Sequence, residues 1–171
     1  MASEMNEHQQ PSTRSLAIGL VVAILICFLP AAIGGLATSS SVNGWFTEIN
    51  KPSWNPPGWI FGPVWSTLYL MMAVSTWLVW KNSGWDKSKI ALGWFAFHLV
   101  LNTLWSLIFF GLQQPGWALV EIVVLWISIM VSIWLFSRHS KLAAGLLVPY
   151  LLWVTFATFL NYTIWSLNPI A

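Results

Sequence analysis

Long apolar segments alternate with short polar ones along this chain. A bilayer core of about 30 Å takes about 20 apolar residues as a helix. Five charge-poor segments have that length, at approximately 16–37, 59–80, 90–112, 117–136 and 142–165. None has the alternating pattern of a barrel strand, and lipid leaves unpaired backbone groups unsatisfied. The sequence therefore predicts an all-α membrane protein, a five-transmembrane-helix bundle.

Composition agrees with this interpretation. Apolar residues make up 57% of the 171 residues and charged residues only 7%, whereas a soluble domain has about 25% charged residues. We expect one five-helix domain over 16–171, preceded by a polar tail at 1–15. The lone Cys27 has no partner for an internal disulfide and is predicted to pack in the first helix. Gly19, Ala23, Pro30 and Gly34 lie near one stripe of that helix, which predicts close helix packing.

The basic residues are distributed unequally between the two sides of such a bundle. The side that holds the N-terminus carries six of them: Arg14, Lys81, Lys87, Lys89, Arg138 and Lys141. The other side carries only Lys51. In a bacterial plasma membrane this asymmetry predicts a multi-pass protein with a cytoplasmic N-terminus. The same scattered charges form no patch of the kind that binds nucleic acid.

The connection at 38–58 is the only long one. The segment Asn50 to Trp65 holds three tryptophans and four prolines in sixteen positions. Prolines restrict their own backbone and that of the preceding residue, so a rigid lid is favoured over a tether. Trp54 and Trp59 are the predicted lid residues. Trp59 also lies at the end of a span, as do Trp80, Trp117 and Trp165, and these four are predicted to form an aromatic belt at the membrane interfaces.

Helical periodicity places aromatic and polar residues on common faces in three predicted helices. The faces are Trp65, Tyr69, Met72 and Thr76; His98, Asn102, Trp105 and Phe109; and Tyr150, Trp153, Ala157 and Asn161. Aromatic walls with few polar groups are typical of sites for flat apolar ligands. For Trp65, Trp105 and Trp153, which lie inside their spans, a pocket and simple packing remain alternatives.

Two ionisable residues lie inside predicted spans. Glu121 should face the bundle because a charge in hydrocarbon costs a few kcal/mol. A structural hydrogen bond, a ligand contact and a proton relay are all compatible with it. His98 has no second ligand at metal spacing, so no metal site is predicted. The chain also shows no phosphate loop, nucleophile elbow or carboxylate pair, so no catalytic residues are predicted.

Three motifs, in order, make the chain resemble the TspO/MBR family, which contains the tryptophan-rich sensory proteins and the translocator proteins. The first motif comprises Trp45-Phe46, Ile49, Lys51-Pro52-Ser53-Trp54, Pro56-Pro57-Gly58-Trp59, Phe61, Pro63-Val64-Trp65 and Leu68-Tyr69. The second comprises Leu101-Asn102, Trp105-Ser106 and Phe109-Phe110-Gly111. The third comprises Pro149-Tyr150-Leu151, Trp153, Phe156-Ala157, Leu160-Asn161-Tyr162 and Trp165. The resemblance extends from about Trp45 to Asn168.

The resemblance implies a five-helix bundle whose cavity binds porphyrins such as protoporphyrin IX and haem as ligands, with no required cofactor. It also implies sterols or benzodiazepine-like drugs as ligands of some members, and homodimers. The short motif proposed for cholesterol lacks its basic residue after Tyr162. By position, five residues match family pocket residues: Trp65, Asn102, Trp105, Trp153 and Ala157. The expected function is a membrane receptor or carrier that regulates tetrapyrrole levels or signals stress. Light-dependent porphyrin breakdown and transport coupled to protons through Glu121 are alternatives.

Overall fold

The computed structural model describes residues 12–42 and 44–169 and is built from helices. Their bounds are α1 Thr13–Val42, α2 Trp45–Glu48, α3 Phe61–Ser106, α4 Pro115–Ser137, α5 Lys141–Leu146 and α6 Val148–Leu167, with a 3-10 turn at Gly58–Ile60 and a π turn at Leu107–Gly111. Within the described ranges, four continuous helical segments are long and apolar enough to cross a membrane. One of them contains two of the predicted spans.

The second and third spans are joined through Gly84, and the predicted loop at 81–89 is wrong. Helical structure continues on both sides of Gly84, which has φ 68° and ψ 172°. Only glycine readily adopts that region, because it has no Cβ. The Tyr69 hydroxyl donates to Asn102 Oδ1 over 2.5 Å, which requires the chain to reverse between them. We call 61–83 the first arm of α3 and 85–106 the second arm.

Other predicted boundaries need smaller corrections. Helix α1 begins at Thr13, inside the predicted tail, and reaches Val42, well past the predicted end at 37. The rest of the tail prediction lies mostly outside the described residues. The long connection is shorter than predicted and contains α2. The last span is divided at Leu147 into α5 and α6.

Within the described residues, indole N–H groups join neighbouring helices at four places. Trp77 donates to the Leu16 carbonyl of α1 over 2.9 Å. The other three donate from Trp94 to Ser128 O, from Trp105 to Asn161 Oδ1 and from Trp126 to Thr155 Oγ1. Helix association in lipid depends on such hydrogen bonds and on close packing, because burial of apolar surface provides little driving force there. Several tryptophans of this chain therefore hold the bundle together.

Small residues of α1 allow the close packing that the sequence predicted. A Cβ added to Gly19 would lie 2.5 Å from the Trp80 ring, and one added to Gly34 would lie 3.0 Å from Ser106 Oγ. Cys27 is fully buried. By contrast, the lipid-facing side of α1 is strongly apolar and exposed, as at Leu25 and Leu36.

The two ends of the bundle differ in charge. Ser83 Oγ and His139 Nδ1 lie 2.8 Å apart, so the Gly84 reversal and the α4–α5 turn share one end. We call this the basic end, since Lys81, Lys87, Lys89, Arg138 and Lys141 flank these turns. The opposite end, which we call the connection end, carries the segment between α1 and α3. The predicted separation of charge thus matches the two ends of the molecule.

Two polar contacts hold the connection against the rest of the bundle. Asn50 N donates to Asn168 Oδ1 over 3.0 Å, and Asn168 Nδ2 donates back to Asn50 O over 2.9 Å. The Lys51 ammonium donates to the carbonyls of Phe46 and Ile49. Lys51 therefore satisfies backbone acceptors at the end of α2, where a cation is also favoured by the helix dipole.

Candidate ligand-binding cavity

A cavity of about 470 Å³ lies at the connection end, between α1, α2, both arms of α3, the π turn and α6. Its wall is largely aromatic, with rings from Phe46, Phe61, Trp65, Tyr69, Trp105, Phe109, Phe110, Trp153 and Phe156. Among the described residues, no Asp, Glu, Lys, Arg or His lines it. The volume falls within the usual range for small-molecule sites. The cavity therefore suits a ligand whose enclosed part is uncharged and apolar.

The rings of the wall hold one another in place. Trp105 stacks on Phe109 with centroids 5.2 Å apart and planes at 25°, and Trp65 stacks on Tyr69 at 5.5 Å and 29°. Trp153 meets Phe61 edge to face at 5.9 Å. Such arrangements stabilise aromatic pairs beyond their area burial. The cavity presents pre-positioned ring faces, which lowers the entropy cost of binding a flat ligand.

The three tryptophans of the wall differ in hydrogen bonding. Trp105 Nε1 donates to Asn161 Oδ1 over 3.1 Å, and Asn161 Nδ2 donates to the Pro115 carbonyl over 2.8 Å. Trp65 and Trp153 donate to no acceptor in the described part of the chain. These two indoles leave N–H donors without partners in a largely aromatic wall. A ligand with hydrogen-bond acceptors at its edge would satisfy them.

A buried polar chain lies behind Tyr69. Asn102 receives the Tyr69 hydroxyl hydrogen and donates from Nδ2 to the Tyr150 hydroxyl over 3.0 Å. Tyr150 Oη in turn lies 3.0 Å from His98 Nε2. Asn102, Tyr150 and His98 are almost fully buried and do not line the cavity. Through these bonds they position Tyr69, which does line it.

The predicted site residues thus fall into separate groups. Those that line the cavity are Trp65, Tyr69, Trp105, Trp153, Ala157 and Asn161. Of the two lid tryptophans, Trp54 packs its ring 5.9 Å from that of the wall residue Phe156. Trp59 is 74% exposed and lies outside the wall, as expected of an interface anchor. The connection covers the cavity through Phe46 and Gly58 instead.

Glu121 lies apart from the cavity. It is buried, as expected for a carboxyl group in a span, and shares a buried face with Leu125, Ser128 and Ser132. It borders a shallow groove with Ile108 and other residues near the start of α4. Neither carboxyl oxygen has a hydrogen-bond partner among the described residues. Likewise, no group of three His, Cys, Asp or Glu side chains in the described ranges is placed to hold a metal ion.

Sequence reasoning missed the contribution of α1 to the cavity. Ala31, Gly34, Gly35 and Thr38 line one wall, although the stripe of small residues predicted packing alone. A cavity boundary and a packing surface use the same residue types, so the stripe could not separate them. The spacing of Ala31, Gly35 and Thr38 on one face of α1 is the pattern in the sequence that could have indicated a cavity wall.

Comparison with known proteins follows the same elements. The TspO/MBR family model matches residues 23–166. The chain is 44% identical over 164 residues to the tryptophan-rich protein TspO of Chlorobaculum tepidum, covering 95% of this chain and 99% of that protein. It is 41% identical to the human translocator protein, over 82% of this chain and 86% of the relative. It is 38% identical to the tryptophan-rich sensory protein of Cereibacter sphaeroides, over 85% and 92% respectively. With this match over most of its length, and with apolar helices that can span a membrane, the chain is an integral membrane protein that belongs to the TspO/MBR family.

Proposed function

We propose that this protein is a membrane receptor for planar, largely apolar ligands of the porphyrin class, such as protoporphyrin IX or haem. The observation that carries the proposal is the uncharged cavity walled by nine aromatic side chains. A porphyrin offers a wide π face to such a wall and carbonyl or carboxylate acceptors at its edge. Binding would couple tetrapyrrole levels to a regulatory or stress response, in keeping with the sensory name of one relative.

Several contacts support stacking as the main mode of recognition. Trp153 and Phe156 are neighbours in α6 with centroids 5.4 Å apart, and Trp105 and Phe109 present a second ring pair from the second arm of α3 and the π turn. A flat ligand stacked on these rings would gain about 0.5–1.5 kcal/mol per aromatic contact beyond the burial of its area. The available indole N–H groups of Trp65 and Trp153 would add orientation.

Iron coordination is not needed for this mode. His98, the histidine predicted as a site residue, is fully buried behind Tyr69 and hydrogen bonded to Tyr150. The Tyr69 hydroxyl is already engaged with Asn102. Haem and metal-free porphyrin would therefore be held by the same ring contacts. Transport coupled through Glu121 gains no support from the cavity, since Glu121 borders a different groove.

The test is a titration of the protein in nanodiscs with protoporphyrin IX, followed by quenching of tryptophan fluorescence. Trp153→Ala removes one wall ring, so we expect the Kd to rise about tenfold, which corresponds to ~1.4 kcal/mol. Trp134→Ala is the matched control, because Trp134 is 54% exposed on α4 and outside the wall. Equal effects of the two substitutions in folded protein, or no saturable binding by the unmodified protein, would refute the proposal.

A further inference from the structure

Helix α1 packs on the first arm of α3 near the basic end, and the cavity lies between the two towards the connection end. Near the basic end, Trp77 donates to the Leu16 carbonyl and Trp80 covers Gly19. Midway, the Phe28 ring lies 5.9 Å from that of Tyr69. Beyond this level, α1 packs on a different part of the chain.

The outer part of α1 packs on the end of the second arm and the π turn. A Cβ on Gly34 would touch Ser106, and the Ser41 hydroxyl donates to the Phe110 carbonyl over 2.5 Å. Phe110 lies in the last turn before this helical segment ends, where carbonyl groups lack helical N–H partners, so its carbonyl can accept this bond. Helix α1 thus crosses from the first arm to the second, and the cavity occupies the gap between its outer part and the first arm.

Small, exposed residues form both sides of this gap while also lining the cavity. Gly35 and Ser39 lie one turn apart on α1, and Gly62 and Ser66 lie one turn apart on the first arm. A Cβ added to Gly35 or Gly62 would meet no atom within 4 Å. A residue that both lines a cavity and faces outward marks an opening. We call these four residues the rim.

The surface around the rim is apolar. Leu36, next to Gly35, is 75% exposed, and Leu70, one turn beyond Ser66, is 48% exposed. Both belong to segments apolar enough to lie in a membrane. Exposed leucines at that position contact lipid chains. The opening therefore faces the hydrocarbon region on the connection side of the membrane.

The water-facing side of the cavity is covered by contrast. Phe46 of α2 packs against Phe109 and Phe110 across its top, with centroids 6.3 and 5.6 Å apart. The paired bonds between Asn50 and Asn168 hold the connection to the end of α6. Entry from water would require these contacts to break, whereas the rim is already open.

We propose that the rim is a lateral portal, through which the ligand enters the cavity from the bilayer. This inference rests on the proposed function and adds the route and the ligand class: molecules that dissolve in the hydrocarbon core and are thin enough to pass between two helices. A planar apolar molecule meets both conditions edge-on. The uncharged rim imposes no desolvation cost beyond that already met in lipid.

The experiment narrows the portal from each side separately. Gly35→Phe and Gly62→Phe place a ring in the gap from different helices, so a folding defect in one leaves the other informative. Gly93→Phe is the control, since Gly93 is an exposed helical glycine with open space around it and lies outside the cavity wall. Phosphatidylcholine vesicles that contain the protein are mixed by stopped flow with vesicles that carry protoporphyrin IX, and the quenching of tryptophan fluorescence gives the association rate. The recovery of fluorescence when the ligand is released gives the dissociation rate.

In the two rim variants, the association and dissociation rate constants should both fall by about tenfold, because the ligand enters and leaves through the same opening and one added barrier slows both steps. Gly93→Phe should leave both rates unchanged. Unchanged rates in the two rim variants would overturn the portal. Faster dissociation in these variants would also overturn it, because it would mean that the rim residues only contact the bound ligand. Faster association in Asn168→Ala would also overturn it by showing entry beneath the connection. No quenching in the unmodified protein would instead refute the proposed function, and the portal with it.

Discussion

Trp105 and Trp153 line the same cavity, yet the structure gives them opposite roles when each is changed to phenylalanine. Trp105→Phe removes the donor that satisfies Asn161 Oδ1 at 3.1 Å. Asn161 is 1% exposed, and no other side chain in the described residues donates to its Oδ1 atom. Trp153→Phe removes an N–H group that has no acceptor in the described part of the chain. Both changes remove the same volume of indole, so their difference isolates the hydrogen bond.

The magnitude follows from the environment of Asn161. A net hydrogen bond contributes about 0.5–1.5 kcal/mol, and interhelical bonds in membranes average about 0.6 kcal/mol. Leaving a buried acceptor unpaired adds to the cost. We therefore expect Trp105→Phe to lower the free energy of unfolding by about 1 kcal/mol more than Trp153→Phe. Because Asn161 also donates to Pro115 O, the start of α4 should loosen in the first variant.

Reversible unfolding with sodium dodecyl sulfate in mixed micelles measures the stability difference, and helical circular dichroism reports the transition. Protoporphyrin IX titration of the same samples should show the reverse order, with Trp153→Phe weakening binding more, because of these two indoles only that of Trp153 offers a free donor to the ligand. Equal unfolding free energies for the two variants would refute the role given to the Trp105–Asn161 bond. A greater loss of stability in Trp153→Phe would refute the assignment of its indole to the ligand.

Two further predictions concern the reversal and the orientation. Gly84→Ala should destabilise the protein by about 1–3 kcal/mol, because alanine is strained at φ 68°, ψ 172°. Gly93→Ala, at an exposed helical site, should be neutral or stabilising by up to about 1 kcal/mol. The same unfolding assay compares the two variants, and equal effects would contradict the strain argument. In a bacterial plasma membrane, a tag at Met1 should be protected in intact cells and one after Ala171 accessible from outside. The opposite pattern of accessibility would show that the charge distribution does not set the orientation.

Much of the architecture was determined by local pattern. Apolar length identified the spans, because lipid admits few ways to satisfy a backbone. Helical periodicity placed Trp65, Trp105 and Trp153 on inward faces, and the structure brings all three to one cavity. Periodicity works here because the side chains on one face of a helix are set by 3.6 residues per turn, whatever the helix packs against.

Other features depended on how the helices meet. Nine residues at 81–89 suggested a loop, but a single glycine reverses the chain because the helices on both sides continue into the turn. Trp77 and Trp153 are the same residue type inside a span, yet one donates to α1 and the other faces the cavity. Whether the N–H of an inward-facing tryptophan is satisfied depends on whether a neighbouring helix offers an acceptor there, as for Trp77 and Trp105 but not for Trp153.

The connection and α1 show the same division most clearly. Prolines and tryptophans predicted a rigid cover, but only the folded chain shows that Phe46 covers the cavity and that Trp59 faces outward. The small residues of α1 predicted close packing, which Gly19 and Gly34 provide. Gly35 has the same lack of a side chain and borders an opening, because α1 crosses from one arm of α3 to the other. A crossing arises from the packing of whole helices against each other, and no pattern within a single helix encodes it.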